Sequence, residues 1–383
     1  MRFFHLSDLH IGLKLLNQDL REYQEHVLGQ IVTLAEREKP DAVVIAGDIY
    51  DKAVPSVEAV EVFDRFIGEL AESLPKTALM LISGNHDSAP RVNCFRNVLK
   101  KQNVYMIGLP PETEEQHIQK VTLTDEAGPV HFYLLPFVRP SMVKQVVGTQ
   151  ENGNLYSYEE TLQRLLEREE YDPDARNVLV SHQFYLPAGR TAEDVERMDS
   201  EIRILGNIDE VSSKVLKRFD YAALGHIHKP MKVSSHALYS GTPYACSVSE
   251  AGQEKSLVMV DMPQKGEISI SRLPLLPLRQ VRILQGTLAE VLSMACEDYV
   301  TVILTGLPEE GEIDVQDRLR AAFPYLLEIR REQVRAGQDD HRREMAAEPD
   351  PYALCCEFLR DPDDEEQRIL QDVIRKVWGE SEG

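Results

Sequence analysis

The sequence predicts an α/β fold, a sheet covered by helices, with a smaller α+β unit and a helical tail behind it. Three observations carry that reading. Strand and helix signals alternate through the first hundred residues. The apolar runs there are short and continuous, which suits strands buried on both faces. Near residues 273–277 two prolines interrupt the pattern, and a shorter second set of elements follows.

In chain order, residues 3–6 read as the first strand, 42–46 as the second and 78–82 as the third. Between the first two, Leu20, Tyr23, Val27, Ile31 and Leu34 recur every three or four residues, the spacing of an amphipathic helix. Val57, Val60, Phe63, Ile67 and Leu70 make another between the second and third. This βαβαβ order implies a parallel or mixed sheet. Residues 121–124 and 130–135, joined through Glu126-Ala127-Gly128, predict a hairpin, and 177–181, 221–224 and 256–261 continue the strands. Past the prolines come a strand (279–284), a helix (288–295), a strand (299–304), a helix (315–323) and a last strand. The expected domains are therefore 1–275, 276–331 and 332–383.

Residues 332–348 are polar without an apolar period and read as a linker or a solvated helix. Asp361-Pro362 and the acids after it then start a helix. Its stripe is Ile369, Leu370, Val373, Ile374 and Val377, with Trp378 close by. A stripe of this kind docks either on its own globule or on a partner's coiled coil. The acidic stretch before it favours the partner.

A chain of 383 residues accommodates two or three units. No apolar run approaches the roughly 18 to 20 residues that span a membrane. The first residues enter a strand directly, so no secretory signal is expected. Five cysteines without C-x-x-C spacing argue against a disulfide framework and a zinc finger, and a cytoplasmic protein is expected. The net charge of −22 counts against a nucleic-acid substrate. From Gln338 onward, however, 14 acidic residues face six basic ones. Cations held by Asp and His would also reverse the sign locally, so the charge weakens that reading without excluding it.

Five short motifs carry the chemistry: Asp8-Leu9-His10, Gly47-Asp48-Ile49-Tyr50-Asp51, Gly84-Asn85-His86-Asp87, Ser181-His182-Gln183 and Gly225-His226-Ile227-His228. Each follows a predicted strand, where α/β sheets place their sites. In the first, alternation after a strand predicts that Asp8 and His10 point to one side. Singly they are unspecific. His182 alone reads as a hydrogen-bonded residue at a sheet edge, and the last motif as a tight turn with two surface imidazoles. Together they offer oxygen and imidazole ligands for two metal ions. Two such ions about 3.5 to 4 Å apart can bind a phosphate, activate a nucleophile and steady the leaving oxygen. A mixed imidazole and oxygen shell suits manganese, iron or zinc over calcium. The absence of cysteine argues against a structural zinc site.

The ordered set D-x-H, G-D-x-x-D, G-N-H-D, H and G-H-x-H resembles the calcineurin-like metallophosphoesterase superfamily. Within it, residues 4–12 (FHLSDLHIG) and 46–51 (AGDIYD) are similar to the bacterial SbcD family of nuclease subunits, as are residues 84–88 and 223–228. The likeness spans about residues 1 to 275, with a looser fit beyond. It implies a mixed β-sheet sandwich flanked by helices, then a small α+β capping domain and a C-terminal helical tail. It implies two divalent ions, manganese foremost, with magnesium, iron and zinc as alternatives. One would be held by Asp8, His10, Asp48 and His228, the other by Asp48, Asn85, His182 and His226, with Asp48 as the bridge. His86, not a ligand, would stabilise the phosphate or protonate the leaving oxygen, and Asp87 would hydrogen-bond His86 and set its tautomer. Asp51 either orients substrate or caps its loop.

The resemblance further implies a DNA exonuclease on duplex ends and an endonuclease on single strands and hairpins, acting by a metal-activated hydroxide. The partner would be an SbcC-like ATPase, bound through the tail, in a heterotetramer built on a homodimer. The setting would be DNA repair, recombination and replication in the cytoplasm, at the nucleoid. Two other readings stand beside it: a phosphatase or small phosphodiesterase of the same superfamily, and a non-catalytic DNA-end-binding scaffold. A minimal phosphodiesterase needs neither the domain after Pro277 nor the terminal helix, and a scaffold has no use for His86 beside Asn85. The remaining histidines carry bland readings: His5 inside the first strand and directed away from Asp8 and His10, His26 on a helix, His131 in the hairpin, and His117, His236 and His341 in variable or polar surroundings. Arg91 and Arg96 read as solvated surface.

Overall fold

The computed structural model of the protein describes residues 1–191, 194–195, 201, 209–305, 313–332 and 366–370. Two compact units divide the chain, residues 1–332 and 333–383. Of the second, only residues 366–370 are described, and they are helical. The polar stretch at 332–348 and the rest of the terminal helix lie outside the described residues, Glu332 excepted.

Two six-stranded sheets dominate the first unit. The first sheet runs Ser269–Leu275, Lys255–Asp261, Arg2–Leu6, Ala42–Ala46, Ala78–Ile82, Val104–Ile107 from edge to edge. Its last four strands are parallel, and the first two join them antiparallel. The second runs Met231–Lys232, Ala237–Tyr239, Tyr221–Gly225, Arg176–His182, Gly128–Leu135, Gln119–Asp125, with four parallel strands between antiparallel edges.

The sheets face each other because their strands are apolar on both sides. Phe3, Val44, Met80, Phe132, Val178 and Val260 fill the space between them. On the outer face of the first sheet, Phe4, Val43 and Ile45 pack under Tyr23, Val27 and Ile31 of helix Arg21–Glu38 and Phe63 of helix Val57–Ser73. Ser56 starts the second of these helices by accepting from the Ala59 amide at 3.3 Å. Helix Tyr158–Glu167 covers the second sheet with Leu162, Leu165 and Leu166, and a Ser157–Glu160 capping box begins it. The mixed sandwich flanked by helices is the architecture expected from the motifs. No helix among the described residues is long and apolar enough to cross a membrane.

A third sheet follows, Val281–Gly286, Tyr299–Leu304 and Leu326–Arg331, all parallel. With helices Leu288–Leu292 and Ile313–Ala322 it buries its own core of Leu284, Val291, Val300, Leu319 and Phe323. Tyr299 stacks edge-on against Tyr23 (6.0 Å between centroids) and Tyr325 (5.5 Å), which ties this sheet to the first helix.

Some elements differ from expectation. Strands Val104–Ile107 and Ala237–Tyr239 are too short to show an apolar period in the sequence. Pro274, read as part of a break, lies inside strand Ser269–Leu275. That strand is a sheet edge, where the missing amide costs no ladder bond. The helix expected over 288–295 stops at Leu292.

His5 sits between the sheets, its Nδ1 2.9 Å from the Tyr221 hydroxyl and its Nε2 3.2 Å from the Leu224 carbonyl oxygen. The carbonyl can only accept, so Nε2 carries the proton and Nδ1 accepts from the tyrosine. Burial pushes the imidazole from the ordinary 6.5 down to about 3. Between those values the unfolded chain binds the extra proton, so the contribution of neutral His5 is complete above pH 6.5 and is lost as pH falls toward 3. One such proton gives a slope of at most about 1.4 kcal/mol per pH unit. In urea melts, the stability difference between wild type and His5→Asn should therefore shrink as the pH is lowered from about 7 to about 4. A difference independent of pH would reject this assignment.

Candidate metal centre

Parallel strands from both sheets end at one place, and each delivers a motif there. Arg2–Leu6 leads to Asp8 and His10, Ala42–Ala46 to Asp48, and Ala78–Ile82 to Asn85, His86 and Asp87. From the second sheet, Arg176–His182 ends on His182 itself, and Tyr221–Gly225 leads to His226 and His228. Asp8, His10, Asp48, His182, His226 and His228 are all buried.

The backbone at these positions departs from the strand geometry on which the sequence reading relied. Asp8 (φ 54°), His10 (41°), Asp48 (48°) and His226 (105°) all have positive φ, which L side chains rarely adopt. The first strand ends at Leu6, so this turn, and not strand alternation, sets where Asp8 and His10 point. The first two loops also ride on each other: the Asp8 amide donates to Gly47 O and the His10 amide to Asp48 O, both at 3.0 Å. Space is tight enough that a Cβ on Gly84 would overlap the Asp48 carboxylate, and one on Gly225 the Ala46 carbonyl oxygen.

Two groups of ligand atoms result. In one, His10 Nε2 and His228 Nε2 stand 3.1 Å apart, and Asp8 offers a carboxylate oxygen within 4.8 Å of them. In the other, Asn85 Oδ1 lies 2.9 Å from both His182 Nε2 and His226 Nδ1. Asp48 belongs to both: its Oδ2 is 3.3 Å from His182 Nε2 and 3.8 Å from His10 Nε2. The seven side chains singled out from the sequence as ligands thus meet in space, with Asp48 between the two groups.

Charges and tautomers follow from this packing. His182 Nδ1 donates to Ala46 O at 2.8 Å, so the neutral ring turns the lone pair of Nε2 into the site. Against the burial penalty, Asp48 lifts the His182 imidazole to about 9, and His182 in return holds the Asp48 carboxyl below the usual range. Burial, with His228 beside it, pushes His10 well below 6.5. Burial raises the carboxyl of Asp8. A cation fits this donor set on two counts. Paired imidazole nitrogens at hydrogen-bond distance need a proton or a metal between them. Imidazole, carboxylate and amide oxygen without thiolate in either group suit manganese, iron or zinc.

One expectation is corrected. Asp87 does not bond His86. Its carboxylate accepts from the amides of Ile49 (3.0 Å), Tyr50 (2.9 Å) and Gly84 (2.9 Å), bracing the loop that carries Asp48. Burial, with Asp48 nearby, raises this carboxyl to about 6. The His86 ring is held instead by the Asp51 carbonyl oxygen, 3.0 Å from Nδ1, and the His86 amide donates to Asp48 Oδ1 at 2.8 Å. Asp51 has a backbone role at both ends, since its amide also donates to Ile11 O at 3.2 Å. Arg91 and Arg96 are exposed, as read.

Supports unseen in the sequence reading surround these residues. Gln24, on helix Arg21–Glu38, donates to His10 O at 3.0 Å and accepts from the Gly12 amide at 3.1 Å. A polar side chain beside the apolar stripe of that helix was the available signal. The Tyr244 hydroxyl donates to Leu9 O, and Ser7 Oγ bonds the Asp8 carboxylate and Ser240.

A family model of the calcineurin-like phosphoesterases matches residues 1–230. The chain belongs to that family. Calcineurin-like phosphoesterases imply bound divalent metal ions, in accord with the two ligand groups. A second model, for the SbcD C-terminal domain and described as the type 5 capsule protein repressor C-terminal domain, matches residues 277–361. Among curated relatives, the SbcD subunit of nuclease SbcCD from Staphylococcus epidermidis is 28% identical over 295 residues, covering 76% of this chain and 74% of that protein. The SbcD resemblance read from the motifs is supported by both matches. Among solved structures, TT1561 of Thermus thermophilus is 14% identical with a TM-score of 0.38, covering 71% of this chain and 98% of that one. A dimetal phosphatase from Danio rerio is 14% identical with a TM-score of 0.38, over 73% and 98%.

Because Asp87 braces the Asp48 loop, Asp87→Ala should weaken manganese uptake in a calorimetric titration. It should also cost about 1–3 kcal/mol of stability from its orphaned amides. Wild-type metal affinity in that variant would show that the brace is dispensable.

Proposed function

We propose that this phosphoesterase is a metal-dependent DNA nuclease that works with an SbcC-like ATPase on DNA ends. One observation carries the reading: two groups of candidate ligands share Asp48, and His86, whose amide bonds that carboxylate, stands beside them. The similarity to the SbcD subunit of nuclease SbcCD supports the choice of DNA as substrate.

In this reading Asp8, His10, Asp48 and His228 hold one divalent ion, manganese foremost. Asp48, Asn85, His182 and His226 hold the other. Such ions supply Lewis acidity, drawing charge off the phosphoryl oxygens and making a water nucleophilic at neutral pH. The chain's own contribution lies in position. With Nδ1 donating to the Asp51 carbonyl, His86 in its protonated form has an Nε2–H left to donate to a phosphoryl oxygen or to pass to the leaving oxygen. The bond from its amide to Asp48 fixes that imidazole relative to the shared ligand. A cavity of about 290 Å³ beside His10 and Asp51 is lined also by Glu328 and Arg330 of the third sheet. The third sheet and its own core support reading a nuclease domain (1–275) and a capping domain (276–331), with a partner-binding tail after them.

The finer activities in this proposal are exonuclease on duplex ends and endonuclease on single strands and hairpins. The expected assembly is a homodimer within a heterotetramer.

Manganese-dependent digestion of linear duplex, hairpin and single-stranded DNA, with and without the ATPase, tests the substrate assignment. Activity on nucleotides or phosphomonoesters alone would make the chain a phosphatase instead. His86→Gln should lower DNA hydrolysis by about 10²- to 10⁴-fold while manganese binding stays near wild type; unchanged rates would remove His86 from the chemistry. A chain ending near Pro349 should keep hydrolysis of a small aryl phosphodiester and lose co-purification with the ATPase. Retained co-purification would place the partner site elsewhere.

A further inference from the structure

His228 meets His10 through Nε2, and its other ring nitrogen is held by residues outside all five motifs. Nδ1 lies 3.5 Å from Glu250 Oε1. Glu250, on the turn Val248–Glu250, is fully buried. Its Oε2 accepts from the Lys255 ammonium at 2.5 Å and from the Thr242 hydroxyl at 3.0 Å, and its Oε1 from the Ser247 hydroxyl at 3.2 Å. Lys255 is itself buried and also donates to Thr242 at 2.7 Å. The His228 amide donates to Glu201 Oε1 at 2.9 Å. Carboxylates therefore hold this histidine at both ring and backbone.

A buried ion pair is costly to assemble, and it persists where its geometry serves something. Two uses are open to Glu250. With His228 and Cys246 it could ligate a third ion, since the three offer ligand atoms within 4.8 Å of one another. The Lys255 ammonium stands against this, because it already occupies Oε2 and would repel a cation placed there. The other use is orientation. A carboxylate at Nδ1 selects the tautomer with the proton on that nitrogen, which turns the lone pair of Nε2 outward.

We infer that Glu250, itself held by Lys255 and Thr242, is the positioning residue of His228, keeping its Nε2 lone pair aimed at the group formed with Asp8 and His10. The inference rests on the two-metal reading and goes beyond it by assigning residues that the motifs do not contain.

The test uses the full chain, with manganese titrated by calorimetry and the His228 ring followed by ¹⁵N chemical shift. Glu250→Gln should weaken one of the two ions by about 10- to 100-fold, leave the other near wild type and mix the His228 tautomers. The double variant Glu250→Leu with Lys255→Met, which removes the ion pair as a unit, should do the same with a metal-free thermal midpoint close to wild type. Wild-type affinity for both ions in either variant would overturn the inference. So would equal weakening of both ions in step with a lowered midpoint, which marks a structural role only, or uptake of three ions by the wild type, which would make Glu250 a ligand. Uptake of fewer than two ions by the wild type would defeat the two-metal reading, and this inference with it.

Discussion

The hydrogen bond from His182 Nδ1 to the Ala46 carbonyl oxygen joins the two sheets at the point where the site is built. One partner ends a strand of the second sheet and the other ends a strand of the first. The bond fixes a tautomer, and so decides which nitrogen faces Asp48. It also sets how closely the loops of the two sheets approach. Gly225 and Gly47 are small because that approach leaves no room for a Cβ, which would overlap Ala46 O at the first and the His182 ring at the second. Beside it, the His226 amide donates to the Asp8 carboxylate and joins the same two sheets.

Such a site is unfavourable taken alone. It gathers two buried carboxylates, four buried imidazoles and four residues at positive φ, each of which costs free energy. The apolar sandwich offsets that cost. Strands Ala42–Ala46 and Ala78–Ile82 are buried at every position, and the space between the sheets is filled with aliphatic and aromatic side chains. The scaffold is rigid where the loops leave it, which is what a preorganised ligand set requires.

Around the ligands, several polar groups have a partner with a definite job. Asp87 holds the loop of Asp48 through three amides. The Asp51 carbonyl turns His86, Gln24 anchors the peptide of His10, and Glu250 faces His228. These supports come from helix Arg21–Glu38, from loops after two different strands and from a turn some twenty residues past the last motif. Orientation therefore draws in part on residues outside the five motifs, Gln24 before the second and Glu250 after the last.

The strand order of the first hundred residues and the side chains that converge at the strand ends were legible in the sequence. Continuous apolar runs mark strands buried on both faces, and each motif keeps its ligand types within four residues of a strand end. The short strands Val104–Ile107 and Ala237–Tyr239 were not legible, because so few residues show no period. Nor was Pro274 as a strand residue, since only the sheet order reveals that it sits at an edge. The same limit governs the site. Local sequence specifies that Asp48, His182 and His228 are present. Which oxygen or nitrogen each presents depends on partners far away in the chain, Ala46 for His182 and Glu250 for His228. A tautomer is set by a contact in space, and only the fold shows that Asp87, which the resemblance placed on His86, holds the Asp48 loop instead.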